Sequence, residues 1–166
     1  GFAVEAEHLF GELRHTLGLT GLTGVRVLRR YDVEGVDAAV YAAARTTVLS
    51  EPQVDALWDE VMPAPEGEHT LLAVEALPGQ YDQRADSCAQ CIQLQSGVDR
   101  PLIAYAKVYL LGGQLSQNEL EKIRKDITRQ LKDEILVTPK VKLVKKGSLP
   151  QSEGKAVRVK DLRDNK

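Results

Sequence analysis

Residues 102–113 read Leu102-Ile103-Ala104-Tyr105-Ala106-Lys107-Val108-Tyr109-Leu110-Leu111-Gly112-Gly113, and residues 116–131 follow with Ser116-Gln117-Asn118-Glu119-Leu120-Glu121-Lys122-Ile123-Arg124-Lys125-Asp126-Ile127-Thr128-Arg129-Gln130-Leu131. Two periods meet here. Leu102, Ala104, Ala106, Val108 and Leu110 alternate with Ile103, Tyr105, Lys107 and Tyr109, the period of a pleated strand. Gly112-Gly113 is read as the turn that ends it. Ser116 and Glu119 form a Ser-x-x-Glu capping box. Leu120, Ile123, Ile127 and Leu131 then fall on one stripe of a helix running to about residue 134. A strand followed by an amphipathic helix calls for a sheet that the helix can cover.

The same alternation extends outward on both sides. Ala6, Leu9, Phe10, Leu13 and Leu17 make the apolar stripe of a helix over 3–17. Gly18, Gly21 and Gly24 punctuate a loop, and Val25 to Val33 reads as a strand. Arg26, Arg29 and Arg30 leave one of its faces wet. Asp37 is positioned to cap a second helix, with Val36, Val40, Ala43, Ala44 and Val48 inward. Pro52, Pro63, Pro65 and Gly67 mark 50–69 as a long loop. Leu71 to Leu77 is mostly apolar on both faces, as a central strand should be. Pro78-Gly79 ends it, and Asp82 caps a helix over 83–95 with Ala85, Cys88, Ala89 and Ile92 inward. Beyond the 116–134 helix, Lys140 to Val144 reads as a strand and Val157 to Leu162 as a last short one. The expected fold is α+β: a ferredoxin-like sandwich with helices packed on a mixed or antiparallel sheet, residues 1–166 forming one composite domain.

The composition excludes several classes. No apolar run approaches the ~20 residues of a membrane span, and no N-terminal secretory signal is visible. Two cysteines in 166 residues do not make a disulfide scaffold. A cytoplasmic chain is expected. The net charge of −2 hides a seam, since Lys107 is the one lysine of residues 1–115 and the remaining ten fall in 116–166. These basic residues are interleaved with acids and apolar positions, which reads as the solvated face of a folded element and not as a nucleic-acid tail.

Three stretches are candidate sites. Cys88-Ala89-Gln90-Cys91 is a C-x-x-C, either a redox pair or two small residues on a helix. It lies well inside its helix and Cys88 shares the apolar stripe, which favours the second reading. His8, His15 and His69 share no ligand spacing, so no metal is expected. The run Pro78 to Ser87 is the densest polar stretch. Gln80, Asp82, Gln83, Arg84 and Asp86 could hold an anion or a partner at the helix start, or form a local charge network that fixes the turn. Ser148 to Lys155 reads as a turn ending in a solvated lysine.

Two resemblances attach to different parts of the chain. Arg30-Tyr31-Asp32-Val33-Glu34-Gly35, Ser50-Glu51-Pro52-Gln53-Val54-Asp55 and Leu77 through Cys91 resemble the N-terminal domain of phosphoribosylformylglycinamidine synthase, over residues 1 to about 115–127. That likeness implies a non-catalytic docking role beside synthase and glutaminase domains, and a first strand that this sequence lacks. Val137-Thr138-Pro139-Lys140-Val141 and Gly147 through Val159 resemble the extreme C-terminus of phenylacetate-CoA ligase, over about 116–166. Gln151 stands where that family usually has arginine. Lys155 matches its catalytic lysine, which the C-terminal lid swings onto the acyl-adenylate. The two likenesses together imply a chimera with no catalysis of its own, in which Lys155 is inert for want of the nucleotide domain; the alternatives are a natural docking subunit or fragment of the purine ligase, and the lid of an acyl-adenylating ligase that uses Lys155. ATP and magnesium are the parents' cofactors, and none is expected on this chain. The partners weighed are a homodimer or, as in the parent enzyme, synthase or glutaminase domains; the sheet edge left by the missing strand is either refilled by residues 157–162 or left open to self-association.

Overall fold

Tyr109, Leu110 and Leu111 are buried in succession. Neighbouring strand residues point to opposite faces, so the strand carrying them is covered on both sides at that end. The computed structural model describes residues 2–63, 65–135 and 140–144. Its order is α1 (Phe2–His15), β1 (Leu22–Glu34), α2 (Ala38–Thr47), β2 (His69–Glu75), α3 (Gln83–Ser96), β3 (Leu102–Gly113), α4 (Gln117–Ile135) and β4 (Lys140–Val144).

The four strands form one sheet in the order β1-β3-β2-β4. Every neighbouring pair is antiparallel, which resolves the expected choice between a mixed and an antiparallel sheet. It follows that β1 and β2 run parallel with β3 between them, and β3 and β4 run parallel with β2 between them. Helices bridge both parallel pairs, giving two interleaved split β-α-β units of the ferredoxin-like kind. The fold is α+β. The register sets Tyr31 opposite Tyr105 and Val27 opposite Tyr109, with Leu72 facing Tyr109 from β2.

One hydrophobic cluster takes in both α1 and α4 on one face of the sheet. Leu9 and Leu13 from α1 and Ile123 and Ile127 from α4 belong to it together with Leu22, Val27, Leu72, Tyr109 and Leu111. Burying each such aliphatic side chain contributes roughly 1.5–3 kcal/mol. The predicted stripe of α3 is buried at all four positions: Ala85, Cys88, Ala89 and Ile92. The three predicted caps also form. Asp37 accepts from the Val40 N–H, Asp82 accepts from the Arg84 and Ala85 N–H groups, and Ser116 and Glu119 close their box.

Several local expectations are corrected. Gly112 and Gly113 do not turn the chain but close β3, with Gly113 paired to Leu22. A Cβ on Gly113 would run into the Gly21 carbonyl oxygen, and Gly113 sits at φ +109, so glycine is needed for close backbone approach. Gly24 lies inside β1, which begins at Leu22. β2 is His69–Glu75, two residues earlier than the expected 71–77. Ala43 is exposed, and Ala44 is the buried residue of α2. The side chain of Leu131 and the expected strand at 157–162 fall outside the described residues, so the proposed refilling of the edge does too.

Candidate functional site at the start of α3

β2 leaves the sheet at Glu75 and the chain turns at Pro78-Gly79 before entering α3. Gly79 holds φ +84, and the Gln80 N–H donates to the Leu77 carbonyl at 2.9 Å, a tight turn that a left-handed third residue requires. The Gln80 side chain then accepts from the Leu77 N–H at 3.0 Å, locking the turn from its other side. Asp82 follows in extended conformation, and its Oδ1 accepts from the Arg84 and Ala85 N–H groups at 3.0 Å each. The orphan donors that could hold an anion at this helix end are thus bonded to the chain's own carboxylate. Gln83 is the exposed first residue of α3.

Arg84 and Asp86 point into two different clusters. The Arg84 guanidinium donates to the Tyr31 hydroxyl at 3.2 Å and sits over the Tyr105 ring, 5.5 Å from its centroid. Tyr31 and Tyr105 are tilted against each other with centroids 5.3 Å apart. The bond to Tyr31 raises the Arg84 pKa, and burial raises that of the Tyr105 phenol. Asp86 accepts from the Tyr81 hydroxyl at 2.9 Å and from Gln90 at 3.0 Å, and it pairs with Arg100. The bond to Asp86 raises the Tyr81 pKa. Gln80, Asp82 and Asp86 therefore form contacts that fix the turn and first helical turns, while Arg84 reaches across to the sheet.

The cysteine pair has the wrong environment for an activated thiol. Cys88 is buried, and that burial raises its pKa, whereas a reactive cysteine needs it lowered. Cys91 is exposed. Beside the pair, two shallow surface cavities of about 370 and 430 Å³ run between α2 and α3. Thr47 on α2 donates to Gln95 on α3 at 2.9 Å, bridging them. Among the described residues no group of three His, Cys, Asp or Glu stands together to hold a metal ion. No helix there is long and apolar enough to cross a membrane. Lys155 lies outside the described residues.

Two features escaped the sequence reading. Tyr31 and Tyr105 are the partners of Arg84, and only the register of β1 on β3 brings them together. Asp59, in the long loop, accepts from the Tyr41 hydroxyl at 2.6 Å and from Arg45 Nε at 2.9 Å. No local pattern marks Asp59; an acid in a loop that follows a helix carrying Tyr41 and Arg45 was the available hint.

Comparison with known proteins gives one family. Residues 68–163 match the AMP-binding enzyme C-terminal domain. The match begins at Glu68, well before Ser116, so it takes in β2, α3 and β3, which the motifs had assigned to the synthase resemblance. It also takes in Lys155. No curated protein and no solved structure matches the chain. Because the matched stretch covers more than half of the 166 residues, the chain belongs to the family of the AMP-binding enzyme C-terminal domain.

Proposed function

We propose that residues 68–163 act as the lid of an acyl-adenylating ligase, with Lys155 as the residue that the lid delivers. The family match over that stretch carries the reading. The lid needs a partner domain that binds ATP and a carboxylic acid. ATP and magnesium are bound by that partner in this reading. In this reading the acid's carboxylate attacks the α-phosphate of ATP and pyrophosphate leaves. The Lys155 ammonium neutralises negative charge as it develops on the phosphate, the kind of preorganised stabilisation worth about 10²–10³ in rate when a single donor is removed. The phenylacetate-CoA ligase resemblance of residues 137–141 and 147–159 points to an aryl acid as the substrate class.

Complementation tests this directly. The full chain is added to a phenylacetate-activating ligase truncated before its own lid, and pyrophosphate release is followed with ATP and phenylacetate. The expected result is stimulation by the wild-type chain and loss of about 10²-fold or more with Lys155→Ala. No stimulation, or equal stimulation by Lys155→Ala at an unchanged melting temperature, overturns the proposal.

The synthase resemblance supports a second part to the same chain. On it, the residues before Glu68 are a docking element and not a catalytic one. A composite origin for the chain remains a proposal that rests on those motifs.

A further inference from the structure

We infer that Cys88 and Cys91 form a two-coordinate thiolate site for a soft monovalent cation of the Cu(I) class. The inference rests on α3 and the cavity beside it and not on the lid reading, so either can fail alone.

The two sulfurs belong to one place. Cys88 and Cys91 are three residues apart on α3, the spacing that makes two side chains neighbours on a helix surface. Both line the surface cavity of about 430 Å³ between α2 and α3. Cys88 is buried and Cys91 is exposed, so a cation arriving from solvent meets Cys91 first and Cys88 second.

Distance decides what the pair can do. Cβ atoms at this helical spacing lie roughly 5–6 Å apart. A disulfide needs them at about 3.5–4.5 Å, so joining the sulfurs directly would distort α3. A metal held between two sulfurs by bonds of about 2.3 Å, the zinc–thiolate length, sets them about 4.6 Å apart. Side-chain rotation can reach that span from the helical spacing, with the backbone left in place.

The surroundings select the cation. No carboxylate or imidazole is among the residues lining the cavity. Among the described residues no third His, Cys, Asp or Glu joins the pair. Zinc takes four ligands and calcium or magnesium takes oxygens, so this cavity serves them poorly. Thr47 and Gln95, which also line it, are bonded to each other at 2.9 Å. Thiolates select Cu(I), and two of them satisfy a soft monovalent cation. On binding, each thiol gives up its proton and each sulfur bonds the cation. One cation enters, two protons leave, and the complex carries one negative charge. Arg84, one helical turn before Cys88, offsets that charge; burial raises the Cys88 pKa and the Arg84 guanidinium draws it back.

The test uses the full chain, reduced and kept free of oxygen, titrated with Cu(I) presented as its coloured bicinchoninate complex. The colour fades as the protein takes the metal. The expected result is one Cu(I) per monomer with release of two protons. Cys91→Ser and Cys88→Ser should each weaken binding by about 100-fold or more, since even an outer-shell partner of a metal site costs about 10–100-fold. If Cys88→Ser does not fold, Cys88→Ala takes its place, because alanine keeps the buried stripe apolar. The inference is overturned if the Cys88 variant holds Cu(I) as tightly as the wild type, which would leave Cys91 acting alone. It is equally overturned if one Cu(I) bridges two chains and the solution mass doubles, or if zinc binds as tightly as Cu(I).

Discussion

Glu119 and Ser116 satisfy one another at the start of α4. The Glu119 carboxylate accepts from the Ser116 N–H at 2.8 Å and from its hydroxyl at 2.7 Å, and the Glu119 N–H donates back to that hydroxyl at 3.3 Å. The hydroxyl bond lowers the Glu119 pKa. A carboxylate held below its ordinary value stabilises the fold above that value, and the contribution disappears as pH falls through the lowered one. Ser116→Ala removes this cap and should lower Tm near neutral pH by about 2–4 °C. The difference from the wild type should narrow in acid. A thermal melt at neutral pH and another below the usual carboxylate range check both parts.

The cluster shared by α1 and α4 makes the core a single target. Ile123 is fully buried against residues that include Leu9, Leu13 and Leu111. Ile123→Ala removes methylenes from a packed interior and should destabilise by about 2–5 kcal/mol. Because Leu13 and Ile123 share one cluster, urea unfolding should stay a single transition shifted to lower midpoint. A variant that splits into two transitions, with Trp58 fluorescence and helical signal uncoupled, would show that the front of the chain and α4 unfold independently.

What the sequence disclosed depends on range. The caps at Asp37, Asp82 and Ser116 were legible because donor and acceptor lie within three residues. The stripe of α3 was legible because helical period alone puts Ala85, Cys88, Ala89 and Ile92 together. The Gly112-Gly113 pair misled, since glycine serves both turns and close backbone approach, and only the packing against Gly21 tells them apart. Ala43 misled for a related reason: its period was right, but α3 leaves it at the mouth of the α2–α3 cavity. Arg84 reads as one charge among several until the β1–β3 register supplies Tyr31, 53 residues away. Strand register is a tertiary property, so half of this site could not be read locally.

The long loop is held to α2 through Asp59, and the chain's one tryptophan sits next to that anchor at Trp58. The bond from Tyr41 and the one from Arg45 lower the Asp59 pKa. The clamp is therefore complete above the ordinary aspartate range and is released as pH falls below it. Asp59→Asn should loosen the loop without unfolding the domain, because Asp59 is exposed and such surface contacts contribute little globally. The expected readout is faster iodide quenching of Trp58 in the variant at neutral pH, and a similar rise in the wild type in strong acid. Equal quenching of variant and wild type at neutral pH would mean that Asp59 does not hold the loop.

The two thiols should separate kinetically. Cys91 is exposed on α3 and Cys88 is buried, with burial raising the Cys88 pKa. Thiolate is the reactive form, so a group both shielded and reluctant to ionise reacts slowly. In the folded protein, a thiol-reactive aromatic disulfide should label one equivalent quickly. The second should appear only at the rate at which the structure opens around Ile92 and Ala89, or on adding denaturant. Cys91→Ser should abolish the fast phase and leave the slow one, whereas Cys88→Ser should do the reverse. Two fast equivalents in the native state would show that α3 does not stay packed over its buried stripe, and would reopen the redox reading of the pair.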